Sequence, residues 1–188
     1  MIAYTIEAAK ASGVFDRLML STDDEAIAAV AKSFGCEVPF MRPKTDSLAG
    51  DKATHLEVIS HAVQALKDQD GYWPDYIMIL QPTSPLRQSF HIKEAADLII
   101  KSGADSVLSV AEVPENFNPH KAMLVTASGE LTLFNGSPVR KRVARRQDLP
   151  KVYWSVGSMY LFKTDLISHP EEPNFYGDKV MPYVIDAS

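Results

Sequence analysis

The chain is poor in cysteine and has no long hydrophobic run, and both shortages narrow what it can be. It has one cysteine in 188 residues, Cys36, so no disulfide can form within the chain. That composition fits a reducing cytosol, where Cys36 is expected to be a small buried apolar residue. No apolar stretch approaches the ~20 residues that span a bilayer, and the N-terminus lacks a signal-peptide pattern. We therefore expect a cytoplasmic protein without a membrane segment.

The ligand spacings of common metal sites are also missing. The five histidines form no H-E-x-x-H pattern and no Cys/His pairs, so zinc is not expected. Asp68-Gln69-Asp70 matches the D-x-D of metal-dependent glycosyltransferases, and DQDG is similar to the start of a calcium loop. The triplet ends a predicted helix, however, and Trp73-Pro74 interrupts a calcium loop. We interpret it as a solvated turn, and no acidic pair marks a glycosyltransferase elsewhere.

The composition is that of an ordinary soluble protein, apart from one basic segment. The chain is 46% hydrophobic with a net charge of -5, which fits a soluble domain and argues against general affinity for nucleic acid. One basic segment allows three interpretations, namely a nucleic-acid patch, a solvated face or a clamp for a polyphosphate. The segment contains no aromatic residue for base stacking, which weakens the first interpretation. Its cations are Arg140, Lys141, Arg142, Arg145 and Arg146.

Short apolar runs alternate with helical periodicity along most of the chain. The runs LMLS, EVPF, YIMIL and DSVLSVAEV are separated by amphipathic segments, which is typical of βαβ units. This predicts an α/β, Rossmann-like fold with a mainly parallel sheet flanked by helices, forming a single domain over residues 1–188. Thr22 and Glu25 have capping-box spacing, and Gly35 and Gly103 mark helix ends. A helix is predicted over MIAYTIEAAKAS, without the strand and phosphate loop that normally precede it.

Between about residues 114 and 150 the pattern changes. ENFNPH predicts a loop, and KAMLVTASGELTLF predicts a hairpin around Ser128-Gly129, ahead of the basic segment. VYWSVGSMYLFK then predicts a long strand whose central glycine, Gly157, indicates a bulge or a close backbone approach. We interpret residues 114–150 as an excursion from the sheet.

The stretch LQPTSPLR, Leu80 to Arg87, follows the predicted strand YIMIL directly. An apolar strand of this kind is usually buried on both faces, and ligands bind beyond the carboxyl ends of such strands. The stretch is therefore a candidate binding edge. The alternative is a rigid turn in which Thr83 and Ser84 only satisfy backbone groups, and the residues alone leave both open.

Together, STDDEAIA, VPFMRP, LQPTSPLR and RRQDLPKVY, in this order and spacing, resemble the acylneuraminate cytidylyltransferases over essentially the whole chain. The resemblance implies a nucleotide-diphospho-sugar transferase-like fold. It also implies an enzyme that joins CTP to a nonulosonic acid of the sialic or legionaminic type, with pseudaminic acid a weaker likeness. The products are a CMP-sugar and pyrophosphate, and Mg²⁺ is the implied cofactor. Neither nucleic acid nor a membrane is expected as a partner.

The resemblance also assigns roles to particular residues. It makes Gln81 the catalytic contact to the sugar and places the nucleotide against Arg42 and the turn Ala53-Thr54-His55. His55 stands where a small hydroxyl residue is expected, which weakens its assignment. The sugar pocket is expected to be aromatic, with core packing as the alternative role for its residues. Those residues are Tyr160, Phe175, Tyr176 and Trp154.

A homodimer held together by the excursion is a further implication. Lys121 and Arg146 match positions that reach the phosphates in the partner subunit's site. The polyphosphate clamp thereby becomes the leading interpretation for part of the basic segment, while Arg140 and Lys141 stay solvated.

Three departures from the family pattern shape the remaining expectations. The family begins with a strand and a glycine-rich basic loop, and it continues after a segment like PYVIDAS into a C-terminal region with an acidic magnesium motif. This sequence starts after the first and stops before the second, so Asp186 is not expected to bind metal. WSVG, Trp154 to Gly157, replaces an arginine and an asparagine of the sialic acid enzymes.

These departures predict an interior fragment or a shortened relative with little turnover on its own. A catalytically silent nucleotide- or sugar-binding module is the alternative. Without a central strand, the sheet is expected to expose an apolar edge and to depend on a partner subunit or aggregate.

Overall fold

The structure is a computed structural model that describes residues 1–50 and 53–185. It divides into two compact units. Unit 1 comprises Met1–Ser109 and Gly157–Tyr183, and unit 2 comprises Val110–Val156 together with the chain from Val184. Among the described residues, no helix combines the length and apolar character needed to cross a membrane.

Unit 1 contains the helices. They are α1 (Ile2–Ser12), α2 (Glu25–Ser33), α3 (Asp46–Ala49), α4 (His55–Asp70) and α5 (Ser89–Ser102). Helix α4 begins with a capping box, in which the Thr54 hydroxyl accepts the Glu57 N–H and the Glu57 carboxylate accepts the Thr54 N–H. The predicted helix end at Gly103 is confirmed, since this glycine adopts the left-handed conformation directly after α5.

The predicted cap of α2 was wrong. Asp24, not Thr22, caps the helix, because its carboxylate accepts the N–H groups of Ala26 at 2.8 Å and Ile27 at 2.9 Å. Asp24 directly precedes the first helical residue, where these two N–H groups are within reach. Thr22 is displaced into the turn before it, and its hydroxyl accepts the N–H of Asp24.

A four-stranded sheet has the order β1-β5-β2-β6. Its strands are β1 (Tyr76–Leu80), β2 (Ser106–Glu112), β5 (Tyr153–Lys163) and β6 (Val180–Val184). Strands β1 and β5 are antiparallel, with Leu80 opposite Met159. The α/β class is confirmed, and the long strand around Gly157 is present as β5. In unit 2, β3 (Met123–Val125) and β4 (Leu131–Leu133) form the predicted hairpin.

The predicted strands at LMLS and EVPF are much reduced. They form only an isolated parallel bridge between Met19 and Glu37. Glu37 bonds to the carbonyl of Leu18 and the N–H of Leu20, so the backbone groups of Met19 point to the opposite side. A strand grows by hydrogen bonding along its edges, and the bridge between Met19 and Glu37 is isolated, so neither segment extends into a strand.

Buried side chains of unit 1 form core clusters. One contains Val63, Phe162 and Ile167, and the other contains Ile6, Ala31 and Cys36. Burial raises the pKa of the Cys36 thiol to about 11, which keeps it protonated at neutral pH. Cys36 thus has the expected role of a buried apolar residue.

A cavity of about 320 Å³ runs along the edge of β1. It is lined by consecutive residues of the segment Leu18–Ser21 and of Tyr76–Leu80, and by apolar side chains of α4. A second cavity of about 330 Å³ touches Tyr76 and Met78 as well, together with residues of α5. In the described part of the chain β1 pairs with β5 alone, so the exposed apolar sheet edge that the sequence predicts is present.

Filling the cavity of about 320 Å³ along β1 should stabilise the folded chain. Ala62 on α4 lines the cavity, and Ala62→Leu places added apolar groups in it, each CH₂ contributing about 0.8 kcal/mol when fully buried. Because the cavity is partly open, we expect the free energy of unfolding to rise by about 1 kcal/mol in urea denaturation. Ala65→Leu, on the same helix but outside the cavity, is the control. An equal change in both variants, or a loss in Ala62→Leu, contradicts this account.

Candidate active site

Gln81 and Tyr160 lie on either side of a space that Gly157 keeps open. Gln81 follows the last residue of β1, and Gly157 and Tyr160 belong to β5. A Cβ atom at Gly157 would lie 3.1 Å from Gln81 Oε1 and 3.5 Å from the Tyr160 hydroxyl oxygen. Gly157 also has φ +67, which favours glycine. The predicted close backbone approach is confirmed, and it brings an amide and a phenol to one place.

The expected sugar-pocket aromatics of unit 1 form a row. The ring centroids of Tyr160 and Phe175 are 5.7 Å apart and nearly perpendicular, and those of Phe175 and Tyr176 are 4.6 Å apart. Phe175 also approaches Phe162 of the core, at 5.6 Å. The core-packing alternative therefore describes Phe175 in part, whereas Tyr176 is 43% exposed and available to a ligand.

Arg87, to which the sequence analysis gave no role, contacts the segment that follows β1. It is 5% exposed, and one Nη donates to the Gln81 carbonyl. Its Nε and other Nη are buried without a partner among the described residues. Burial lowers its pKa to about 10, so the group stays charged at neutral pH. The sequence signal was an arginine at the end of an otherwise neutral motif that follows an apolar strand.

LQPTSPLR forms a turn at the end of β1. The Ser84 N–H donates to the Gln81 carbonyl at 3.3 Å, and the Arg87 N–H donates to the Ser84 carbonyl at 3.3 Å. These bonds and the buried guanidinium hold the main chain, which leaves the Gln81 side chain to point at Gly157. The turn bonds seen here are main-chain bonds, and the binding edge stays a prediction.

Of the nucleotide candidates, Arg42 is held by its neighbours. One Nη donates to the Asp23 carboxylate at 3.0 Å, and the main-chain N–H donates to the Thr22 carbonyl at 2.8 Å. The Arg42 Nε is buried without a partner in the described chain. The Arg42 guanidinium lowers the pKa of the Asp23 carboxyl by donating a hydrogen bond to it, which keeps this pair ionised.

The turn Ala53-Thr54-His55 lies at the start of α4. The Thr54 hydroxyl is engaged in the capping box, as described above. The His55 ring lies 6.4 Å from the Tyr160 ring, centroid to centroid, which places it at the end of the aromatic row. Asp51 and Lys52, directly before this turn, lie outside the described residues.

In unit 2 the two predicted phosphate contacts line one basic cavity. Lys121 and Arg146 share a cavity of about 260 Å³ with other basic residues, namely His120, Arg142 and Arg145. Arg145 forms an ion pair with Asp148 at 2.7 Å, whereas Arg146 has only a 3.9 Å contact to Glu115. Arg140 and Lys141 are not part of its lining. Trp154 also belongs to unit 2 and is 50% exposed.

The acidic residues singled out in the sequence are engaged in local contacts. No three side chains of the ligating types His, Cys, Asp and Glu come together in residues 1–50 and 53–185. Asp68 accepts a hydrogen bond from Gln64 at 2.7 Å, and Asp70 pairs with Arg17 at 2.7 Å. These contacts agree with the interpretation of Asp68-Gln69-Asp70 as a structural turn. Asp186 lies outside the described residues.

The chain is similar in sequence to cytidylyltransferases of two bacteria. The pseudaminic acid cytidylyltransferase of Campylobacter jejuni subsp. jejuni serotype O:2 is 30% identical over 160 residues, which are 85% of this chain and 66% of that protein. The N-acylneuraminate cytidylyltransferase of Streptococcus agalactiae serotype V is 30% identical over 185 residues, which are 97% of this chain and 41% of that protein. The chain thus spans less than two thirds of the length of these relatives.

Among solved structures, a CMP:2-keto-3-deoxy-manno-octonic acid synthetase complexed with CTP has the same fold. It covers 99% of this chain and 79% of its own, with a TM-score of 0.65 and 13% identity. The family model described as cytidylyltransferase matches residues 1–172. On this match, which takes in both the strand β1 with its LQPTSPLR edge and the whole of β5, the chain belongs to the cytidylyltransferase family.

Proposed function

We propose that this chain forms the site of a CTP-dependent cytidylyltransferase that activates a nonulosonic acid. The observation that carries the proposal is the space at Gly157, bounded by Gln81 Oε1, the Tyr160 hydroxyl and the aromatic row. An amide and a phenol beside aromatic faces suit a sugar, which has hydroxyl groups on its edge and an apolar ring face. Relatives named for pseudaminic and N-acylneuraminic acid support an acidic sugar.

The reaction depends mainly on the positioning of the two substrates and on stabilisation of the charge on the phosphates. The anomeric hydroxyl of the sugar attacks the α-phosphorus of CTP, the bond to pyrophosphate breaks, and negative charge gathers on the phosphate oxygens. In this chain Gln81 hydrogen-bonds and orients the sugar, while the buried Arg87 fixes the Gln81 main chain. Arg42 and the turn Ala53-Thr54-His55 are assigned to the nucleotide, with Asp23 orienting Arg42.

Magnesium is the cofactor that we expect the reaction to require, because a cation offsets charge on the phosphates. The described residues bring no ligand cluster together for it. No step of the proposed mechanism is therefore assigned to a metal held by these residues.

The excursion supports a homodimer. A two-stranded hairpin is marginally stable by itself, and β3–β4 exposes apolar side chains at Leu124, Val125 and Leu131. A second copy of the chain would cover them. In that dimer, the basic cavity with Lys121 and Arg146 supplies phosphate contacts to the partner's site, as a clamp for a polyphosphate. We place the enzyme in the cytoplasm, on the grounds of its single buried cysteine.

A catalytically silent binding module is the second candidate. It is favoured by Trp154, which stands in WSVG where a cation would recognise a carboxylate. The two candidates share the site and differ in whether pyrophosphate is released.

Pyrophosphate release tests the function. The assay contains CTP, Mg²⁺ and sialic, legionaminic or pseudaminic acid, with this chain and with a version extended to the length of its relatives. We expect turnover with one of these sugars in the extended version, and Gln81→Ala to lower kcat/KM about tenfold through a lost hydrogen bond. Gln64→Ala, on the exposed side of α4, is the control. Binding of CTP or sugar without any release would establish the silent module instead.

Gly157→Ala tests the position of the sugar. The new methyl group enters the space between Gln81 and Tyr160, so we expect KM for the sugar to rise at least about tenfold with KM for CTP unchanged. Gly129→Ala is the matched control, because Gly129 also has a positive φ, +84, yet a Cβ there meets nothing within 4 Å. If both variants behave alike, backbone strain explains the effect and the space at Gly157 does not hold the sugar.

Sedimentation equilibrium tests the dimer. We expect the chain to be a dimer at micromolar concentration and Val125→Lys to shift it to monomer, because a charge on the covered hairpin is costly. Val125 is 70% exposed, so the substitution should leave the monomer folded. Leu86→Lys, at an 84% exposed residue of unit 1, serves as the control. A wild-type monomer at all concentrations rules out the proposed assembly.

A further inference from the structure

The loop that carries Phe175 and Tyr176 is attached to the sheet by one carboxylate. Asp105 directly precedes β2, and its Oδ2 accepts the main-chain N–H groups of Lys179 at 2.9 Å and Asp178 at 3.2 Å. The Asp105 N–H donates to the Lys179 carbonyl at 2.9 Å. The loop between Tyr176 and β6 is thus bonded to both the side chain and the main chain of Asp105.

Gly177 allows the loop backbone to pack directly against the Asp105 side chain. A Cβ atom at Gly177 would lie 2.4 Å from the Asp105 Cβ, a separation at which one of the two must move. Gly177 has φ +70, so the loop turns here in a conformation that other residues rarely adopt. Beside it, the Tyr176 carbonyl accepts the Ser106 hydroxyl at 2.5 Å. Four consecutive loop residues, from 176 to 179, therefore contact Asp105 or Ser106.

The same carboxylate also bonds to the strand that forms the site. Asp105 Oδ1 accepts Lys163 Nζ at 2.9 Å, and the Lys163 N–H donates to the Asp105 carbonyl at 3.0 Å. Lys163 is the last residue of β5, which carries Gly157 and Tyr160. Asp105 thus joins the two elements whose side chains make up the aromatic row, namely β5 through Lys163 and the Phe175–Tyr176 loop through its backbone.

Hydrogen bonds within the loop fix the shape of the turn that carries Tyr176. Asn174 Oδ1 accepts the N–H groups of Tyr176 and Gly177 at 2.8 Å each, which shapes the turn. Those bonds are internal to the loop and do not set its place on the sheet. The loop is placed on the sheet by its contacts to Asp105 and Ser106, together with the packing of Phe175 against Phe162 and the bond from the Asn174 N–H to the Leu166 carbonyl at 3.1 Å.

We propose that Asp105 is a positioning residue for the acidic sugar, which sets the place of Tyr176 and Phe175 against Tyr160 through Gly177 and the loop backbone. The proposal rests on the proposed function, because the row is the sugar side of the site. Asp105 touches no substrate itself. Loss of the Asp105 carboxylate should therefore weaken binding of the sugar selectively. Binding of CTP and the rate of the chemical step should change little.

Asp105→Asn is the test variant. The amide is neutral and keeps one acceptor oxygen, so it cannot accept from both the loop N–H groups and Lys163. In the ligand-free protein we expect hydrogen exchange at the Asp178 and Lys179 amides to accelerate at least about tenfold. In the extended, active version, KM for the sugar should rise at least about fivefold, while KM for CTP and kcat stay within about twofold.

Two further variants complete the design. Asp165→Asn removes an exposed carboxylate that makes no side-chain hydrogen bond in the described chain, and it should change none of these quantities. Gly177→Ala forces the loop away from Asp105 and should reproduce the selective loss for the sugar. It also decides the matter if Asp105→Asn does not fold.

Exchange at the loop amides that equals wild type overturns the proposal, as does a loss that affects CTP and the sugar alike. If the wild-type enzyme turns over no acidic sugar, the proposed function fails. The exchange experiment then still shows whether Asp105 holds the loop, so the two failures are distinguishable.

Discussion

The antiparallel pairing of β1 with β5 is the interaction on which the candidate site depends. Its register places Leu80 opposite Met159 and Ile79 opposite Tyr160, so that Gln81 emerges beside Gly157. A slip of one residue would turn every side chain of the strand to the other face of the sheet. Strand β5 is also fixed to β2 by Ser109, whose hydroxyl accepts the Met159 N–H at 2.9 Å and donates to the Met159 carbonyl at 3.0 Å.

Buried polar groups then hold the loops that leave this sheet. Arg87 donates a hydrogen bond to the Gln81 carbonyl and has no carboxylate partner in the described chain. Burial of this charged group costs free energy of desolvation. Asp105 binds the Phe175–Tyr176 loop and has its pKa lowered chiefly by the hydrogen bond from Lys163. Each group acts on main-chain atoms and thereby frees a neighbouring side chain for a ligand. Rigid loops of this kind suit a reaction in which orientation contributes much of the rate.

Local patterns in the sequence predicted the local structure. Helix α1, the hairpin around Ser128-Gly129 and the long strand with Gly157 all follow from periodicity and turn residues, and the structure contains them. The strands at LMLS and EVPF were predicted in the same way but depend on pairing with other segments, and only the Met19–Glu37 bridge forms. Asp105 and Arg87 could not be predicted because their partners lie elsewhere in the fold. Nothing in the residues around Asp105 indicates that the backbone of Lys179, 74 positions later, donates to its carboxylate.

The most direct test of the central claim is a crystal structure of the chain, extended to the length of its relatives, with a CMP-nonulosonic acid bound. The account predicts that the sugar lies at Gly157, with hydrogen bonds to Gln81 Oε1 and the Tyr160 hydroxyl and with its ring against the Phe175–Tyr176 row. A sugar bound away from Gly157, or a nucleotide occupying that space, would contradict it.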